Sequence, residues 1–178
     1  MTATTMQTRW LDDAEMRGWL GLVQVMQLLP LALDRQLQDE AGMPHAYYQL
    51  LAMLSEAPGR SLRMNALAAL TATSQSRLSH SMTRLEERGW VERRPCPDDR
   101  RGQIAVLTGA GAAALAAAAP GHVAEVRRRV FDLLKPAQVE ALAEVASALA
   151  EGLAAEVCPT TRTAVGPRPE GAPCPSSA

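Results

Sequence analysis

Residues 74–95, SQSRLSHSMTRLEERGWVERRP, change periodicity once, and that change decides the fold. From Ser74 to Arg88 the apolar residues Leu78, Met82 and Leu85 recur at spacings of four and three, which at 100° per residue collects them on one helical face. The opposite face carries Ser76, His80, Thr83 and Glu87, while Arg77 and Arg84, seven apart, share one flank. Thr73 or Ser74 offers the N-cap oxygen, and Gly89 is the stop at the other end. Past Gly89, the run Trp90-Val91-Glu92-Arg93-Arg94 alternates in period two, so the chain passes directly from helix to strand.

Working outward, Thr71 to Ser74 form a polar turn, preceded by a short helix from Met64 to Leu70. Two helices about a turn of this length have the helix-turn-helix spacing. Downstream, Gln103 to Leu107 alternates again, and the turn-rich Pro95 to Gly102 lies between the two strands, so a β-hairpin with a long tip is predicted. The outer face of the second helix is small and polar, as entry into a DNA groove requires, and Arg77 and Arg84 are long enough to reach phosphates past its edge. A solvated surface helix would show a similar face, so this segment does not decide function by itself.

The flanks are helical. Residues 12–41 carry Trp19, Leu20, Val23, Met26, Leu29, Leu33 and Leu37 as one stripe, with a kink expected at Pro30. A helix over 45–57 buries Leu50, Leu51 and Leu54 and ends at Pro58-Gly59. Thr108 caps an Ala-rich helix that is expected to break or bend sharply at Pro120-Gly121 and resume from Val123 to Leu134. A last helix over 137–155 aligns Leu142, Val145, Leu149 and Leu153, and the Pro-, Gly- and Ser-rich remainder from 157 to 178 is expected to be a disordered tail. These stripes exceed what a small helix-turn-helix core can cover, and such surplus points to a subunit interface.

The chain has 178 residues and a net charge of −1. That sum conceals an asymmetry: residues 60–101 hold nine Arg against five acids, a local +4, which leaves −5 on the rest. A basic middle on an acidic body suits a polyanionic partner. No apolar run of about 18 residues and no secretory signal is read, so no membrane partner and a cytoplasmic location are expected. Cys96, Cys158 and Cys174 form neither a disulfide framework nor zinc ligands, and no metal or cofactor is expected. An enzyme is disfavoured: there is no Gly-rich phosphate loop, no paired-carboxylate cluster, and the histidines make no triad.

The order of elements resembles the MarR family of winged-helix transcription regulators. Three strings carry the likeness: SQSRLSHSMTRLEERGWVERRP, PDDRRGQIAVLTGAG and KPAQVEAL, within residues 12–155. The resemblance implies a mainly α fold with a small β-hairpin wing. Its organisation would be an N-terminal dimerisation helix (1–44), a winged helix-turn-helix domain (45–108), and C-terminal dimerisation helices (109–156). It further implies an obligate homodimer on double-stranded DNA, reading a palindromic operator with the recognition helix in the major groove and the wing along the minor groove. On the helix, the candidate contacts are Thr73, Ser74, Gln75, Ser76, Arg77, Ser79, His80, Thr83 and Arg84. On the wing they are Arg93, Arg94, Asp98, Asp99, Arg100 and Arg101, where one aspartate would aim a following arginine by a charge-assisted bond. Which aspartate pairs with which arginine stays open.

The family's effector pocket is matched here by Trp19, His45, Tyr47 and Tyr48, whose polar tips suit a phenolic or other small aromatic ligand; the alternative is that they pack the helix junction. Repressor release by such an effector is the expected mode. Two further alternatives are a thiol-based redox response at Cys96, beside several arginines, and a winged-helix module for protein contacts.

Overall fold

The computed structural model describes residues 8–71, 73–96 and 99–157, with backbone alone at 99–101 and 155–157. Helix α1 (Asp13–Ala41) leads into α2 (His45–Glu56), strand β1 (Ser61–Arg63) and α3 (Met64–Leu70). Then follow α4 (Gln75–Glu87), the hairpin β2 (Val91–Cys96) and β3 (Asp99–Leu107), α5 (Gly109–Arg129) and α6 (Pro136–Val157). The strands form one antiparallel sheet in the order β1-β3-β2.

Local chemistry explains the ends of these elements. Asp12 and Glu15 make a capping box on α1: the Ala14 and Glu15 amides donate to Asp12 Oδ1 at 2.8 Å, and the Asp12 amide donates to Glu15 Oε2 at 2.9 Å. Helix α4 is closed by Gly89 at φ 70°, with the Gly89 amide on Glu86 O (2.8 Å) and the Trp90 amide on Leu85 O (2.9 Å). That pair of bonds reverses the chain straight into β2, and glycine bears the left-handed angle without a Cβ clash. Thr108 caps α5, its Oγ1 accepting from the Gly111 amide at 3.0 Å.

The core sits where α2, α3, α4 and the sheet converge. Leu51, Leu54, Leu67, Met82 and Leu85 are wholly buried there, with Leu37 arriving from the end of α1. Each such side chain contributes about 2 kcal/mol of apolar burial. The predicted α1 stripe is divided: Leu33 and Leu37 are buried, whereas Trp19, Leu20 and Met26 are more than half exposed. The α6 stripe of Leu142, Val145, Leu149 and Leu153 is exposed throughout.

Two expectations need correction. Helix α5 is not broken at Pro120-Gly121 but runs continuously from Gly109 to Arg129. A proline removes one backbone donor, and here the helix is held along its length against α1, with Ala118 buried and Gly121 facing Gln36 and Glu40. Helix α1 holds Pro30 within its span. Finally, α1 does contain an 18-residue window of mean hydropathy 1.2, only 6% of it buried, so by length and composition it could cross a membrane. Counting unbroken apolar runs misses this because Gln24 and Gln27 interrupt the run, while the leucines and valines around them still hold the window average at 1.2. Strand β1 is an addition to the expected elements, since three residues are too few to show a period.

Candidate nucleic-acid interface

The turn between α3 and α4 is held by its own hydroxyls. The Thr73 amide donates to Ala68 O at 3.1 Å, Thr71 Oγ1 donates to Leu67 O at 2.9 Å, and Thr73 Oγ1 donates to Thr71 O at 3.1 Å. Ser74, rather than Thr73, is the N-cap, accepting from the Arg77 amide at 3.3 Å. Both residues are thus engaged in shaping the turn. With Leu78, Met82 and Leu85 buried, α4 turns Gln75, Ser76, Arg77, Ser79, His80, Thr83, Arg84 and Glu87 to solvent. Arg84 Nη1 rests on Glu87 Oε2 at 2.8 Å, an exposed pair that a phosphate can readily displace.

Arg93 is placed differently from Arg77, Arg84 and Arg94. It is half-buried between wing and helix: its amide donates to Glu86 Oε1 at 2.9 Å, Nε to Glu86 Oε2 at 2.8 Å, and Nη2 to Thr83 Oγ1 at 3.1 Å. The Arg93 guanidinium holds the Glu86 carboxyl below the usual carboxylate range. Arg94 is exposed and pairs with Glu92 at 2.9 Å. At the wing tip, Asp98 lies outside the described residues, and for Asp99, Arg100 and Arg101 only the backbone on β3 is described, with Asp99 opposite Cys96. Pro95 is tolerated because β2 is an edge strand, and the register shifts beside it. Cys96 is 5% exposed, so its thiol faces protein rather than the solvent that would carry an oxidant.

The four aromatic and histidine candidates separate into three places. His45 and Tyr48 meet His122 of α5, with ring centroids 5.5 Å and 4.2 Å apart respectively, and the His45 amide donates to Asp34 Oδ1 at 2.8 Å. Burial lowers the pKa of both histidines, Asp34 opposing the shift at His45 and His45 adding to it at His122; burial raises that of Tyr48. Tyr47 instead lies under the Arg88 guanidinium, 5.9 Å away, which also stacks on Trp90 at 4.8 Å and donates to Gly42 O at 3.0 Å. Trp19 stands exposed on α1. Sequence reasoning misses His122, because the proline beside it points to a helix break there. Two concavities lie elsewhere: a groove of about 560 Å³ between α2 and α4, and one of about 540 Å³ among the start of α3, α4 and β3. Among the described residues, no group of three His, Cys, Asp or Glu is placed to hold a metal.

A helix-turn-helix beside a basic β-hairpin defines a winged-helix DNA-binding module. Residues 41–102 match the MarR family model. The chain is 49% identical to Sco3205, a MarR family transcriptional regulator from Streptomyces coelicolor solved in complex with DNA, over 84% of this chain and 93% of that one, with a TM-score of 0.77. It is 42% identical to AbsC, a MarR family transcriptional regulator from the same organism, over 84% of this chain and 100% of that one, with a TM-score of 0.76. MarR from E. coli, at 19% identity, 80% and 98% coverage and a TM-score of 0.60, shares the fold. No curated protein matches. The chain belongs to the MarR family: it is a transcriptional regulator, not an enzyme.

Proposed function

We propose that this regulator is a cytoplasmic homodimer that binds a palindromic operator and represses until a small aromatic effector releases it. The observation that carries the reading is the pairing of an outward polar face on α4 with a basic hairpin, in a chain half identical to a regulator solved on DNA. In this arrangement α4 lies in the major groove, with Gln75, Ser76, Ser79, His80 and Thr83 toward base edges and Arg77 and Arg84 toward phosphates. The wing arginines Arg94, Arg100 and Arg101 lie along the minor groove, where a narrow, electronegative channel favours a guanidinium.

The dimer is formed by residues 1–44 and 109–156 around the winged domain at 45–108. The exposed leucines of α6 and the exposed apolar face of α1 support this, since a second copy would cover both. Two protomers related by a two-fold axis read half-sites one helical turn apart. The effector is assigned to the junction where His45, Tyr48 and His122 meet. His122 Nδ1 is buried there without a hydrogen-bond partner, which leaves a polar ligand group something to satisfy.

Selection of bound duplex from a random pool, repeated with phenolic ligands present, tests both halves. A palindromic consensus whose affinity falls steeply with salt is expected, and the ligand should weaken it. A shallow salt dependence with no preferred sequence would refute the DNA reading and favour a protein-contact module.

A further inference from the structure

The recognition helix and the wing are joined by one hydrogen-bonded chain of side chains, and it passes through a residue on the DNA-facing side of α4. Thr83 is exposed, yet its hydroxyl is committed: Oγ1 donates its one proton to Ser79 O at 3.1 Å and accepts from Arg93 Nη2 at 3.1 Å. Arg93 is itself held by Glu86 through Nε and its backbone amide, with side chains only 24% and 29% exposed. A hydroxyl that reads N7 of a purine or O6 of guanine must donate, and Thr83 cannot do so without giving up Ser79 O. What Thr83 has left to present is its γ-methyl and the second lone pair of Oγ1, which can only accept. Threonine is stiff at χ1, and bonds on both sides of Oγ1 leave one rotamer, so that methyl is held in a single place.

We propose that Thr83 is a specificity-determining residue that reads the 5-methyl group of a thymine through its own γ-methyl, with Arg93 as the positioning residue that holds it. The inference rests on the reading that α4 enters the major groove. It assigns Arg93 to the protein side of the interface, distinct from Arg94 beside it on the strand. Thymine is the base whose major-groove edge carries a methyl, so the contact is apolar and discriminates thymine from cytosine as well as from the purines.

The test uses the operator selected by the full-length protein, with each thymine of a half-site replaced in turn by deoxyuridine, which deletes the 5-methyl group alone. The wild-type protein is expected to lose about fourfold in affinity at one position per half-site, the worth of one buried methyl. Thr83→Ser should become indifferent to that replacement, whereas Thr83→Val should keep the penalty. Arg93→Lys, which keeps the charge beside Glu86 but lacks the planar fork, should shrink the penalty; a purely structural role would instead lower affinity for both duplexes equally. A deoxyuridine penalty unchanged in Thr83→Ser, or absent at every thymine, overturns the inference while leaving sequence-specific binding intact. Absence of any preferred sequence for the wild-type protein overturns this inference and the functional reading together.

Discussion

Gly111, one turn into α5, is where the regulator should be least tolerant of a single added methyl. A Cβ there would stand 2.1 Å from Trp90 O and 2.8 Å from Leu107 Cδ1. The Trp90 carbonyl cannot swing aside freely, because it accepts from the Thr108 amide at 3.1 Å, while Thr108 Oγ1, also 3.1 Å away, gives its one proton to Gly89 O at 2.7 Å. Restoring even a 3.0 Å approach requires α5 to retreat by about 0.9 Å from the base of the wing. Overpacking of this kind costs about 1–3 kcal/mol, and the amide hydrogen bond given up at Trp90 O adds about 1 kcal/mol. Against these, alanine gains about 1 kcal/mol over glycine in a helix. The net for Gly111→Ala is a loss of about 2 kcal/mol, or about 4–8 °C in melting temperature for a chain of this size. Gly109→Ala is the control: nothing lies within 4 Å of its Cβ, so it should be neutral or slightly stabilising. Thermal unfolding followed by circular dichroism, at matched protein concentration because the melting point of the proposed dimer depends on it, gives both values. An unchanged or higher melting temperature for Gly111→Ala would falsify the argument that the Trp90 carbonyl is locked.

Arg100→Ala combined with Arg101→Ala should weaken operator binding and flatten its salt dependence by about one unit of slope for each arginine taken off a phosphate, with gel-filtration mass unchanged; unaltered affinity would remove the wing from the interface. Leu149→Asp with Leu153→Asp on α6, at positions now 46% and 61% exposed, should weaken the dimer by at least about 30-fold, from about 2 kcal/mol of forfeited apolar burial. Sedimentation across a dilution series would read this, and an intact dimer would place the interface elsewhere. For pH, both His45 and His122 have folded pKa values below the ordinary 6.5, so the unfolded chain binds protons first. Stability from this pair is complete above about pH 6.5 and declines as pH falls below it, whereas that from Glu86, lowered by Arg93, declines only below its ordinary 4.5. His45→Gln with His122→Gln should flatten urea-unfolding stability between pH 6.5 and 5; an identical slope in the variant would show that other groups carry it.

Much of the DNA-binding module is legible residue by residue. The spacing of Leu78, Met82 and Leu85, the glycine at 89 and the alternation from Trp90 onward place a helix, a stop and a strand correctly, because each rests on interactions within a few residues of chain. Prolines are read less well. Pro120 looks like a break, but the loss of one local donor is outweighed by packing of α5 along α1, which a linear pattern does not contain. The same blindness hides His122, which meets His45 and Tyr48 only after α2 and α5 are packed together.

What the sequence determined by itself is the set of local decisions: caps, stops, periodicity, and the concentration of arginine in residues 60–101 of an otherwise acidic chain. What only the tertiary structure decided is which polar groups remain available. Arg93 and Arg94 are neighbours of identical type, yet one is drawn onto Glu86 and Thr83 and the other pairs in solvent with Glu92. The physical reason is that successive strand residues point to opposite faces, and only one of those faces meets the recognition helix.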